Sequence, residues 1–83
     1  MNTANNESVS SLEHQTEEIV RRVEKDNSLF EVLDEREKII ANLHCEGKSI
    51  DEIALLLGIS SYYVKRFTLR IHFKIENEIK NKK

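Results

Sequence analysis

The sequence contains no proline, no tryptophan, two glycines and a single cysteine, Cys45, among its 83 residues. One cysteine cannot build an internal disulfide framework or a cysteine-based zinc site, and it agrees with a reducing compartment. No apolar stretch approaches the roughly 20 residues that a membrane span requires. The N-terminus MNTANNESVSS is polar where a secretory signal would be basic and then apolar. We therefore expect a cytoplasmic protein that is neither secreted nor membrane-spanning.

Motifs that carry catalysis are missing as well. The sequence has no glycine-rich phosphate loop, no paired-carboxylate arrangement and no Ser/His/Asp set. His14, His44 and His72 are scattered, whereas a metal site needs several convergent ligands. Cys45 directly follows His44, and neighbours on a helix do not face each other, so a structural role is favoured over a nucleophile. We expect no enzyme activity, no cofactor and no metal.

The composition indicates one small helix-rich domain. Hydrophobic residues make up 39% and charged residues 34% of a chain of 9.7 kDa. The net charge of −2 is unevenly distributed, because residues 1–34 carry −5 and residues 35–83 carry +3. Residues 60–83 alone hold seven basic residues against two acidic ones. Such a basic end is either an electrostatic footprint for a polyanion or a solvated helix end that complements the helix macrodipole.

The N-terminal third predicts a mobile arm followed by one amphipathic helix. Residues 1–9 have loop composition without a period. Ser10 and Glu13 form a capping-box pattern, and the turn residues 26–28 end the helix that follows. Its apolar stripe comprises Leu12, Thr16, Ile19, Val20 and Val23. We weighed three roles for this stripe: packing on the protein's own core, a homodimer seam, and a surface for another protein.

Further capping patterns divide the rest of the chain into three helices. Asp34 with Glu37 and Ser49 with Glu52 are capping boxes, and Ser60 is a third N-cap candidate. Gly47 and Gly58 are placed to end the first two helices in the left-handed conformation. The dense apolar patch 29–33 must dock on a core. The inward positions are expected to be Ile39, Ile40, Leu43 and His44, then Val64, Phe67, Thr68, Ile71 and Ile75.

The short joint Gly58-Ile59-Ser60 defines the architecture that we expect. A turn of three or four residues containing glycine, between a short helix and a longer one, is typical of a helix-turn-helix. The predicted fold is therefore all-α, with a three-helix helix-turn-helix core preceded by an additional N-terminal amphipathic helix. Its expected segments are the arm 1–9, the helix and turn 10–28, and the domain 29–83.

The chain from Leu33 to Ile75 resembles the LuxR/GerE type of DNA-binding domain. The characteristic stretches are LDEREKII, EGKSIDEIALLLGIS and YYVKRFTLRI, in the family's order and without a gap. The related region four of primary sigma factors shares much of this pattern and is the nearest competitor. The sequence departs from the family at Lys48, His44, Thr68 and Leu69, and it has little room for the family's fourth, dimerising helix. The resemblance implies a small bacterial transcriptional regulator that reads the DNA major groove with the helix 61–75.

By this resemblance, Lys65, Arg66 and Leu69 match base-reading positions. Arginine and lysine donate to guanine O6 and N7, and an exposed leucine either meets a thymine methyl group or marks a protein-binding surface. Phosphate contacts, which carry the salt-dependent affinity, are expected from the rest of the candidate surface. These candidates are Ser60, Ser61, Tyr62, Tyr63, Arg70 and Lys74.

The partner expected first is double-stranded DNA, bound by a monomer or by a homodimer. A dimer seam would use Leu12, Ile19, Val20 and Val23, because ENEIKNKK is too polar to supply one. The alternative is a protein-interaction module whose acidic N-terminal helix contacts a partner regulator or RNA polymerase. The overall acidity, the missing fourth helix and Leu69 favour that alternative.

Overall fold

In the computed structural model, which describes the backbone of residues 3–81 and the side chains of residues 14–81, the chain is almost entirely helical. Four α-helices are α1 (Thr3–Lys25), α2 (Glu35–Cys45), α3 (Ile50–Leu57) and α4 (Ser61–Asn81), and a 3-10 helix (Asn27–Val32) joins the first two. Residues 3–81 contain no strand. The predicted all-α class is confirmed. Across this described range, no helix has the length and apolar character to cross a membrane.

Local hydrogen bonds determine where the helices begin. The Asp34 carboxylate accepts from the Glu37 backbone N–H at 2.8 Å, and the Glu37 carboxylate accepts from the Asp34 N–H at 3.0 Å. Ser49 and Glu52 exchange the same pair of bonds at 3.1 and 2.8 Å. Asp26 caps the 3-10 helix by accepting from the Ser28 N–H. Both capping boxes are therefore confirmed, and each satisfies two amides that a helix start leaves unpaired.

Two glycines end α2 and α3 in the left-handed conformation. Gly47 has a φ of 87° and Gly58 a φ of 68°. After α2, the Lys48 N–H donates to the Leu43 carbonyl oxygen at 3.0 Å, and after α3 the Ile59 N–H donates to the Ala54 carbonyl oxygen at 3.1 Å. Hydrogen bonds of this kind, from an N–H just beyond the helix back to a carbonyl of its last turn, are typical of the Schellman motif. As predicted, both connections are short, with four residues between α2 and α3 and three between α3 and α4, so α4 begins close to the end of α3.

All five helices contribute to one hydrophobic core. The buried stripe of α4 lies at its centre, and α1, α2, α3 and the 3-10 helix pack around it. The core side chains are Ile19, Val23, Leu29, Leu33, Ile40, Ala41, Ile53, Ala54, Val64, Ile71 and Ile75. The apolar patch 29–33 docks here, as expected, with Leu29 and Leu33 buried. The N-terminal helix is thus part of the same packing unit as the rest of the chain.

The structure corrects the expected start of the first helix. Helix α1 begins at Thr3, so residues 3–9 are helical and not a mobile arm, and the chain passes through Ser10 without a helix start. Ser10 and Glu13 have the residue types of a capping box, but both positions lie inside α1 and not at its start. Residues 1–2 and the Leu12 side chain lie outside the described part.

The proposed dimer seam is also corrected. Ile19 and Val23 are 0% and 1% exposed within the single chain, so they pack on the protein's own core and are not available to a second copy. Val20 is half-buried. On α2, Ile39 was expected to face inward and is 48% exposed instead. Of the three roles weighed for the α1 stripe, Ile19 and Val23 take the first, which is packing on the protein's own core.

The last helix is longer than expected. It continues six residues beyond Ile75 to Asn81, and these turns pack against α1. Arg22 of α1 contacts the Glu76 carboxylate at 3.3 Å, and Ile79 is partly buried against the core. A helix of this length spans roughly 30 Å. The polar tail ENEIK thus extends the helix proposed to read DNA and anchors its far end.

A buried polar contact joins α2 to α4. His44 is 3% exposed, and its Nε2 lies 2.9 Å from Oγ1 of Thr68. The Thr68 hydroxyl donates to the Val64 carbonyl oxygen at 2.9 Å, so His44 Nε2–H is the donor of the first bond. The other ring nitrogen, Nδ1, is buried without a partner among the described residues. Burial lowers the pKa of His44 from 6.5 to about 4, so the ring is neutral at neutral pH.

This contact predicts a loss of stability in mild acid. Between pH 6.5 and about 4, the unfolded chain protonates His44 and the folded chain does not, so the free energy of unfolding falls as the pH falls. The loss reaches up to about 3 kcal/mol at the lower end. Urea unfolding followed by circular dichroism, at several pH values between about 7.5 and about 4, measures this loss.

Variants identify the residue responsible. The His44→Gln variant is expected to lose most of this pH dependence, whereas His14→Gln, at an exposed position of α1, is expected to retain it. An equal pH dependence in His44→Gln and in the unsubstituted protein would contradict the assignment.

Candidate nucleic-acid interface

Helix α4 presents one face to solvent along most of its length. We call Tyr62, Lys65, Arg66, Leu69 and Phe73 the outer face of α4, and all five are exposed. The opposite stripe is fully buried and consists of Val64, Thr68, Ile71 and Ile75. At roughly 100° per residue the two sets lie on opposite sides of one helix. The packing of the stripe therefore determines the direction of the outer face.

The amino end of α4 is held by two hydroxyl contacts. Ser60 Oγ accepts from the Tyr63 N–H at 3.3 Å, as expected of an N-cap. The Ser61 hydroxyl donates to the Asp51 carboxylate of α3 at 2.8 Å. Both serines were predicted to contact phosphates, and in the structure their side chains make hydrogen bonds at the turn between α3 and α4. The Ser61 contact spans ten residues, so helix spacing alone does not indicate it.

Arg66 is oriented by its neighbour one turn earlier. Its Nη1 donates to the Tyr62 hydroxyl oxygen at 3.1 Å, and its guanidinium carbon lies 5.8 Å from the centre of the Tyr62 ring. Tyr62 meets Tyr63 edge to face with ring centres 5.8 Å apart. Both tyrosines are more than half exposed. The three side chains form a small aromatic and cationic cluster on the surface.

Arg70 and Lys74 are engaged by a buried carboxylate. Glu37 of α2 is 0% exposed, and its Oε1 accepts from Lys74 Nζ at 2.8 Å. Its Oε2 lies 3.6 Å from Arg70 Nε. Two cations thus compensate one buried anion, which would otherwise be costly to remove from water. Both basic residues were predicted to contact phosphates, and both also pair with Glu37.

Lys65 and Arg66 differ from that pair. Among the side chains that the structure describes, neither has an acidic partner within 4.0 Å. Together with Leu69, they are the residues predicted to read bases, and the structure brings all three to the outer face. The arrangement offers two uncompensated cations beside apolar and aromatic side chains, which is a surface that suits a polyanion.

Sequence reasoning missed the function of Glu37 in this site. It assigned the residue to a capping box only, and the pairing with Lys74 joins positions 37 residues apart. The opposite charges of Glu37 on α2 and of Arg70 and Lys74 on α4 are a sequence signal for this pairing. They lie on helix faces that the core packing brings together. Phe73 was not among the predicted site residues, although it is 70% exposed on the outer face of α4.

Cys45 and the histidines are the remaining candidates from the sequence. Burial raises the pKa of the Cys45 thiol, and the carboxylates of Glu24 and Glu46 raise it further, so the thiol is protonated and a weak nucleophile at neutral pH. Over the described positions, no group of three or more histidine, cysteine, aspartate or glutamate residues is arranged to hold a metal ion.

We compared the chain with known protein families, curated proteins and solved structures. No protein-family model matches the chain, and no curated protein and no solved structure shows a significant match. The resemblance to the LuxR/GerE type accordingly stays a prediction that rests on the sequence stretches quoted above.

The contacts of Glu37 with Lys74 and Arg70 are expected to stabilise the fold, and a substitution at Glu37 tests this. Glu37→Gln keeps the size of the side chain and its capping geometry but removes the charge that pairs with Lys74 and Arg70. We expect the free energy of unfolding to fall by about 1.5–3 kcal/mol, the range of hydrogen bonds to charged groups, as measured by urea unfolding. Glu35→Gln is the matched control, because it removes the same charge from an exposed position in the same helical turn. Equal effects of the two substitutions would show that only the charge at the helix end matters.

Proposed function

We propose that this protein binds double-stranded DNA by placing the outer face of α4 in the major groove. The observation that carries the proposal is the exposure of Lys65 and Arg66, which have no acidic partner among side chains 14–81, on a helix whose opposite side is fully buried. A major groove about 12 Å wide admits one α-helix with its side chains. Arginine and lysine there donate to guanine, and further cations bind phosphates.

The joint between α3 and α4 supports this proposal. Three residues connect the helices, Gly58 ends α3 in the left-handed conformation, and Ser61 bonds back to Asp51. A short helix and a longer one joined so tightly are typical of a helix-turn-helix. With the sequence resemblance, this makes a small transcriptional regulator the function that we propose.

The cations near the middle of α4 complete the proposed surface. Arg70 uses Nε toward Glu37, so its two Nη groups stay available to phosphate, and its side chain is 63% exposed. Lys74 is less exposed and bonds Glu37 more closely. We therefore assign base reading to Lys65 and Arg66, phosphate contact to Arg70, and a mainly structural role to Lys74.

Binding assays test the proposal. Fluorescence anisotropy or mobility shift with genomic fragments is expected to show an affinity that falls steeply with salt, because DNA binding releases counterions. Lys65→Ala and Arg66→Ala are each expected to weaken binding by about tenfold. If the removed cation contacts phosphate, the affinity of that variant is expected to depend less on salt.

Matched controls locate the surface. Lys25→Ala and Arg36→Ala remove the same charge from exposed positions of α1 and α2 and are expected to leave the affinity within about twofold. Binding that is insensitive to both α4 substitutions, or equally sensitive to all four, would overturn the assignment to the outer face of α4.

A second candidate function is a protein-interaction module. The observation that favours it is the exposure of two adjacent leucines on α3, Leu55 at 85% and Leu56 at 61%. Exposed apolar side chains that lie together mark interaction sites more often than isolated ones. In this alternative a partner regulator or RNA polymerase contacts the protein through α3, since the apolar stripe of α1 is engaged in the core.

Co-purification after nuclease treatment tests this alternative. We expect a stoichiometric protein partner that is retained by the unsubstituted chain and lost from Leu55→Ser and Leu56→Ser, because serine removes the apolar contact area. Ile39→Ser is the matched control, since Ile39 is an exposed aliphatic residue on α2. Equal recovery from all three variants would reject α3 as the contact surface.

A further inference from the structure

The proposed DNA surface contains apolar side chains that the core does not use. Leu69 is 47% exposed and Phe73 is 70% exposed, and both lie on the same side of α4 as Arg66. Residues 66, 69 and 73 are spaced by three and four, so they follow one another along a single helix face. A leucine between an arginine and a phenylalanine would meet the bases themselves if this face enters a groove.

The chemistry of the major groove limits what such a leucine can contact. Its floor presents hydrogen-bond donors and acceptors from every base pair, and its apolar group is the C5-methyl of thymine. Cytosine lacks this methyl group unless it is methylated at C5. An aliphatic side chain that reaches the bases therefore favours a pyrimidine that carries a C5-methyl group.

Arg66 specifies the neighbouring base pair. Its Nη1 is directed to the Tyr62 hydroxyl at 3.1 Å, which limits the rotamers of the guanidinium group and leaves Nη2 and Nε as donors. A guanidinium with two donors in one plane matches O6 and N7 of guanine. Arg66 and Leu69 are three residues apart, about 5–6 Å between Cβ atoms, so they reach adjacent base pairs along the groove.

We propose that the outer face of α4 selects duplex sites in which a guanine, read by Arg66, lies next to a base pair with a C5-methyl pyrimidine, read by Leu69. This inference rests on the proposed DNA binding and names the sequence class that the surface takes. The methyl group is that of thymine or of 5-methylcytosine, and the same chemistry recognises both.

Site selection followed by base replacement tests the inference. A duplex selected by the protein from a random pool is expected to contain adjacent guanine and thymine. Replacing that thymine by deoxyuridine removes only the methyl group and is expected to weaken binding by about fourfold, the effect of one buried methyl-sized group. Replacing it by 5-methylcytosine, paired with guanine, is expected to bind more tightly than unmethylated cytosine by a similar factor.

Protein variants assign the effect to Leu69. Leu69→Ala is expected to bind the thymine and deoxyuridine duplexes equally, whereas Leu69→Met keeps an apolar side chain and is expected to retain most of the difference. Lys65→Ala is expected to bind both duplexes more weakly with the ratio unchanged. Thermal unfolding of each variant is expected to match the unsubstituted protein, because the side chain of residue 69 is outside the core.

The outcomes separate the two proposals. Salt-dependent binding that ignores the methyl group, or a methyl preference that persists in Leu69→Ala, would overturn this inference and leave DNA binding by α4 intact. A protein that binds no duplex at any salt concentration would overturn the proposed function, and this inference with it.

Discussion

The buried stripe of α4 is the constraint on which the rest of the structure depends. Val64, Thr68, Ile71 and Ile75 are each 0% exposed, and every other helix packs around the helix that carries them. Each buried isoleucine contributes roughly 1.5–3 kcal/mol relative to an exposed one. A rotation of α4 by one residue would expose this stripe and bury charges instead. The direction of the outer face is therefore a consequence of core packing, and the candidate DNA surface needs no separate device to orient it.

Buried polar contacts then fix how α2 sits against α4. Glu37 pairs with Lys74 near the start of α2, and His44 donates to Thr68 near its end. The two contacts are about two turns apart on α2, so together they define both the position and the rotation of α4 along it. Apolar packing tolerates small shifts, whereas a buried donor or acceptor without its partner is costly. These contacts also distinguish the cations of α4, because Lys74 pairs with Glu37 whereas Lys65 and Arg66 do not contact it.

Much of the secondary structure could be predicted from the sequence, because its signals are local. Both capping boxes and both left-handed glycines involve residues within a few positions of each other, and the structure has them as predicted. The same local reasoning was wrong at Ser10, where suitable residue types lie inside a helix that begins at Thr3. It was also wrong for Ile39, because helical spacing identifies an apolar stripe without showing which of its edges a neighbouring helix will cover.

The sequence by itself determined the all-α class, most helix ends, and the inward and outward sides of α4, since these follow from hydrogen bonds and periodicity within one helix. Only the tertiary structure decided that the stripe of α1 is part of the core and that α4 extends to Asn81 against it. It also decided that Lys74 pairs with Glu37, because this contact joins residues 37 positions apart. Such contacts depend on how helices are placed relative to one another, and that placement results from packing the whole chain at once.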